Sequence, residues 1–181
     1  MRFRLFFLLL LLMGTFGFAK NIDVQSGDFA YFGATLPSGN VAGQEGKIML
    51  GAFDAFGNKT NYFGGKNRTF TLKATGSAAL DKTTLTSADF ESGSVSVGIS
   101  DRVAETVGIA LYEGESLLLF KNMETGTFVP GFNLKFNHAP LGSFDISVPA
   151  KVIAGEEFNV VITAKDKAGN VLNGYSSTGI P

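Results

Sequence analysis

Ala42–Phe63 reads AGQEGKIMLGAFDAFGNKTNYF, and Ala154–Tyr175 reads AGEEFNVVITAKDKAGNVLNGY. The two stretches align without a gap at an offset of 112 residues. Identities fall at Ala42/Ala154, Gly43/Gly155, Glu45/Glu157, Ala52/Ala164, Asp54/Asp166, Gly57/Gly169, Asn58/Asn170 and Asn61/Asn173. Upstream, Phe32 pairs with Phe144 and Pro37 with Pro149 at the same spacing. Chance can match a short apolar run. It rarely matches the turn, the lead-in proline and the Ala-Gly together, so the sequence predicts two tandem copies of one module, the second incomplete.

Outward from that stretch, short alternating runs recur between clusters of Gly, Pro, Asn and Ser. Phe29–Leu36, Lys47–Phe53, Thr69–Ala74, Ser94–Ser100, Thr106–Tyr112, Ser116–Lys121 and Phe132–Phe136 are the expected strands. Ser94–Ser100 (SVSVGIS) alternates polar and apolar residues as a half-buried strand does. No helical periodicity extends beyond two turns. About seven short strands in such a span is the pattern of an antiparallel sandwich.

The shared Asp-x-x-Gly-Asn element reads as a turn. Asp54 ends a strand, where its carboxylate can accept backbone N–H groups. Gly57 and Asn58 tolerate the positive φ needed to reverse the chain. Asp166, Gly169 and Asn170 repeat the device. The rival reading is calcium, held by Asp54 and Asn58 in one copy and by Asp166 and Asn170 in the other, but one carboxylate per turn is few for a hard cation.

Val148–Tyr175, VPAKVIAGEEFNVVITAKDKAGNVLNGY, resembles the opening of bacterial immunoglobulin-like repeats. Such repeats share a Pro-led edge segment, an Ala-Gly, an alternating strand ending in Ala-x-Asp, and a Gly-Asn turn. Leu80, Leu85 and Phe90-Glu-Ser-Gly93, followed by Ser94–Ser100, are similar to the later strands of these modules. The resemblance spans Val148–Tyr175 closely and Phe29–Phe136 loosely. It implies an all-β, antiparallel immunoglobulin-like β-sandwich, followed by the first strands of a second copy, in an invasin- or adhesin-type surface protein.

Met1–Ala19, MRFRLFFLLLLLMGTFGFA, has the charges, apolar run and small-x-small ending of a signal peptide. Its uncharged stretch is short for a bilayer span of about 20 residues. Cleavage after Ala19 removes Arg2 and Arg4 and takes the net charge from −1 to −3. The expected organisation is a signal peptide over 1–19, a sandwich module over 20–137, a linker over 138–143 and an incomplete second module over 144–181. The expected compartment is extracellular or the cell surface, with the periplasm as the other option, and no transmembrane segment after signal cleavage.

Fifteen Lys and Arg against 16 Asp and Glu give no basic field, so a grip on nucleic acid is not expected. Zero Cys excludes disulfides, thiolate metal sites and thiol nucleophiles. The Ser-His pair of a nucleophilic triad has one candidate base, His138, and it falls in the linker. Asp101, Glu105, Glu113 and Glu115 could be paired as glycosidase carboxylates, but in strands and turns they read as solvated faces. No catalytic residue and no cofactor is therefore expected, calcium being the one candidate ion. Asn58-Lys-Thr60 and Asn67-Arg-Thr69 are sequons, which mark exposed loops. Tyr31, Phe53, Phe56, Tyr62 and Phe63 are the one aromatic group that could stack on a sugar, with the turn-flanking Phe56 and Phe63 as the candidate ligand contacts. The expected function is a non-catalytic structural or adhesive module of an exported bacterial protein. Its expected partners are other surface proteins, glycans or neighbouring copies of itself. Two alternatives are a carbohydrate-binding accessory module of a secreted enzyme and an S-layer or filament subunit.

Overall fold

A computed structural model describes residues 25–123 and 125–175. The signal peptide expected over 1–19 lies outside the described residues, as does the end of the second module. Thirteen strands follow one another in chain order. They are β1 (Phe29–Thr35), β2 (Glu45–Asp54), β3 (Thr69–Ala74), β4 (Ala79–Leu80), β5 (Thr84–Thr86), β6 (Ser94–Ser100) and β7 (Thr106–Glu113). After these come β8 (Ser116–Leu118), β9 (Phe120–Lys121), β10 (Phe128–Val129), β11 (Phe132–Lys135), β12 (Leu141–Ser147) and β13 (Val161–Asp166). The sole helical turn described is a 3-10 turn at Ser87–Phe90.

The first eleven strands form two sheets. One has the order β10-β9-β1-β2-β6-β4, and the other β11-β7-β3-β5 with β8 also on β7. The alternation read in the sequence sets the inward faces. Phe32 of β1, Ile48, Leu50 and Ala52 of β2, and Val97 and Ile99 of β6 point inward from one sheet. Phe70 and Leu72 of β3 and Val107, Ile109 and Leu111 of β7 meet them from the other. Phe32, Phe63, Phe70 and Phe90 fill the centre, with Phe70 edge-on to Phe32 at 5.0 Å and Phe90 tilted against it at 5.4 Å. This is an immunoglobulin-like β-sandwich, as expected, although the expected seven strands resolve into eleven pieces.

Two differences have a physical cause. Ser116–Lys121, read as one strand, changes sheets: β8 pairs with β7, while β9 runs parallel to β1. Phe120 is buried in the core whereas Leu117 and Leu119 face solvent, so the chain bends to insert one ring. The short strands β4, β5 and β10 carry too few residues for periodicity to register.

β12 and β13 pair only with each other. β11 ends at Lys135 and β12 begins at Leu141, so residues 136–140 connect the sandwich to the hairpin. Among the described residues no helix is long and apolar enough to cross a membrane.

Candidate functional site

The residues singled out in the sequence fall at three places: the two aspartate turns, the junction between sandwich and hairpin, and the aromatic edge of β1–β2.

At the first turn Asp54 is enclosed, with 1% of its surface exposed. Its Oδ1 accepts the backbone N–H groups of Phe56 and Asn58, both at 2.9 Å. Its Oδ2 accepts the Gly27 N–H at 2.9 Å and the Asn58 side-chain amide at 3.1 Å. The Gly27 N–H, with Asn58 and Phe56 assisting, holds the carboxyl at about 2 against the opposing effect of burial. Gly57 takes φ +88°, which closes the turn.

The second turn repeats the first, contact for contact. Asp166 Oδ1 accepts the N–H groups of Ala168 and Asn170, and Oδ2 accepts those of Ala139 and the Asn170 side chain. Burial works to raise this carboxyl, but the Asn170 amide and N–H, Ala139 and His138 outweigh it and hold it at about 2. Ala139 stands 112 residues after Gly27. Both carboxylates therefore staple the turn to the chain that leads into the preceding strand. Sequence reasoning found the turn but not the staple, because a contact spanning 27 residues leaves no local signal. The four calcium candidates thus form two turns in which N–H donors, not open lone pairs, surround the carboxylates. Among the described residues no group of three or more His, Asp or Glu is gathered.

The junction is hydrogen-bonded on both sides. Asn170 donates its amide to the Arg102 carbonyl at 2.8 Å and accepts the Ala104 N–H at 3.4 Å. The Asn137 N–H donates to the Asn40 carbonyl at 2.9 Å, and the Asn137 carbonyl accepts the Ala42 N–H at 2.8 Å. The Pro140 carbonyl accepts the Lys167 N–H at 3.0 Å. His138, expected as a free linker side chain, is half-exposed with Nδ1 3.3 Å from Asp166 Oδ2.

The aromatic candidates separate. Phe56 is 89% exposed at its turn tip. Phe63 is a core residue, 5% exposed and stacked on Phe29 at 4.9 Å. That placement corrects its reading as a ligand contact: the turn directs its ring inward to plug the aromatic centre. Tyr31 and Phe53 stack on each other at 5.4 Å on the outer face, with the Lys121 ammonium 4.7 Å from the Tyr31 ring. They do not share a surface with Phe63.

The four carboxylates read as solvated faces are mostly engaged. Glu113 grips Arg68 through two bonds of 2.8 and 2.6 Å. Glu105 accepts the N–H and hydroxyl of Ser77, and Asp101 accepts the Val103 N–H and the Ser77 hydroxyl. Asp101 is buried rather than solvated, 2% exposed, and its Oδ2 has no hydrogen-bond partner among the described residues. Glu115 lies exposed in the β7–β8 turn.

These features define the class as an immunoglobulin-like β-sandwich with a hydrogen-bonded connection to a further hairpin. No family model matches the chain, and no curated protein matches it. Among solved structures it is similar to FdeC, described as a broadly conserved Escherichia coli adhesin. The TM-score is 0.51 at 23% identity, over 83% of this chain and 46% of that one. The chain thus spans less than half the length of that protein, and the likeness is one of fold. Domains 5–6 of the S-layer protein SbsC align with a TM-score of 0.35 at 13% identity, over 79% of this chain and 65% of that one. That likeness is too slight to carry an argument.

Proposed function

We propose that the chain is a non-catalytic structural or adhesive segment of an exported bacterial surface protein, built of successive immunoglobulin-like modules. The observation that carries this reading is the junction. Asn170 ties the hairpin to the sandwich through two hydrogen bonds, to the Arg102 carbonyl and from the Ala104 N–H, and Asp166 holds the connecting segment through the Ala139 N–H. A short tied connection holds adjacent units at a set angle, as a stalk requires and a flexible tether does not. The fold shared with an adhesin and the export signal read at Met1–Ala19 agree with it, and extracellular display is the expected destination. Its partners are other surface proteins or glycans.

The test is display. The chain is expressed with its own N-terminus, and intact cells are treated with protease. The reading expects a chain that begins at Lys20 and is cut from outside. A chain that keeps Met1 and stays protected until lysis contradicts it.

One observation favours glycan binding as a second reading: Phe56 presents nearly its whole ring to solvent. A glycan array in which binding is lost with Phe56→Ala would support it, and an array with no binding would remove it.

A further inference from the structure

The two hairpins match in backbone and differ in cover. β12–β13 repeats the register of β1–β2 at the spacing of 112: Phe32↔Ala52 recurs as Phe144↔Ala164, and Ala34↔Leu50 as Ile146↔Ile162. Even the irregularity between Phe29 and Tyr31 recurs between Leu141 and Ser143. Yet Phe144, Val160, Ile162 and Tyr175 are 47%, 48%, 63% and 44% exposed. Their counterparts Phe32, Ile48, Leu50 and Phe63 are 1%, 0%, 0% and 5% exposed.

Strand length carries independent information. In β2, Met49–Asp54 is the part that β1 pairs, while Glu45–Ile48 pairs with β6 alone. In β13, Val161–Asp166 is the counterpart of the first part, and residues 157–160, the counterpart of the second, form no strand. Among the described residues the hairpin has neither neighbour that β2 has: a strand on its edge, or a second sheet over its apolar face.

We infer that the β12–β13 face is one half of a sandwich core, completed by a half-sandwich from the same polypeptide. The inference rests on the reading of the chain as successive modules and specifies what each module needs. The complement has the chemistry of β3, β6 and β7: Val, Ile, Leu and Phe inward, with Ser, Thr and Gly outward. Phe144, Ile146, Val160, Ile162 and Ala164 carry no charged or hydrogen-bonding side chain, so a charged ligand gains nothing from them. The path of the chain favours covalent continuity. The Tyr175 ring lies 5.7 Å from Phe144, as Phe63 lies 6.5 Å from Phe32, and from Phe63 the first copy runs on to β3 at Thr69.

The absence of cysteine permits a single-thiol test. Ile162→Cys is placed in the chain and in two longer forms, which continue Pro181 with a copy of residues 70–137 or of residues 70–113. Both keep the spacing of 112. The thiol should react freely in the unextended chain and about 100-fold more slowly in an extended form, because reaction then requires opening of the packed unit. Leu72→Asp within the appended copy should restore fast reaction. A thiol equally reactive in all soluble forms overturns the inference, as does protection that appears only on raising the protein concentration. These readouts concern folding alone. A chain absent from the cell surface but protected at position 162 would remove the surface assignment and leave the half-core standing.

Discussion

Leu50 and Ile162 occupy equivalent positions, and the same truncation at each should give very different results. Leu50→Ala removes a side chain that is wholly enclosed between the sheets. Its loss combines the transfer free energy with a residual cavity, about 3 kcal/mol within the usual 2–5 kcal/mol for such a change. That is a factor of about 100 in the folding equilibrium and roughly 10 °C in melting temperature. Ile162 is 63% exposed, so only about a third of its burial is at stake, below about 1 kcal/mol. The chain has no Trp, so urea unfolding is best followed by far-UV circular dichroism, with equal slopes required before midpoints are compared. Equal losses at the two positions would refute the reasoning. They would mean either that Ile162 is as enclosed as Leu50, or that Leu50 does not lie in the core.

Phe63→Ala should cost about 3–5 kcal/mol because its ring is enclosed among four others, whereas Phe56→Ala should stay within about 0.5 kcal/mol; urea titration of both variants checks the pair. Gly93→Ala should destabilise by about 1–3 kcal/mol, since Gly93 takes φ +71° and an added Cβ would stand 2.8 Å from that of Lys59. Acid should weaken the fold. Asp54 and Asp166 sit at about 2 in the folded chain against 3.8 for the free group, so the folded state binds fewer protons across that interval. The stability they contribute is complete above about pH 4 and is lost as pH falls towards 2. Glu105, Glu113 and Asp89 are lowered too and act in the same direction. Urea midpoints that stay level from neutral pH down to about pH 3 would contradict this.

What could be read in advance follows the range of the interactions involved. Ser94–Ser100 was legible because alternation over seven residues is a local property, and β6 has those bounds. The aspartate turns were legible because Asp, Gly and Asn act on neighbours two to four residues away. Phe63 was not, because a ring beside a turn can face either way, and the direction is set by Phe29, Phe32, Phe70 and Phe90 across the sandwich. The change of sheet at Leu119 was hidden for a similar reason: the pull on Phe120 comes from a core assembled by distant strands. Neither Asp101's burial nor Asn170's grip on Arg102 has a signature in its own segment. The spacing of 112 is the exception. It let local patterns in one copy be checked against burial in the other.

The most direct test of the account is the titration of the two aspartate carboxyl carbons by NMR. If the residues of the second copy build the same staple as those of the first, Asp54 and Asp166 both titrate at about 2. Asp54 at about 2 with Asp166 near 3.8 would contradict the account, since the second turn would then lack the Ala139 and Asn170 donors that enclose its carboxylate.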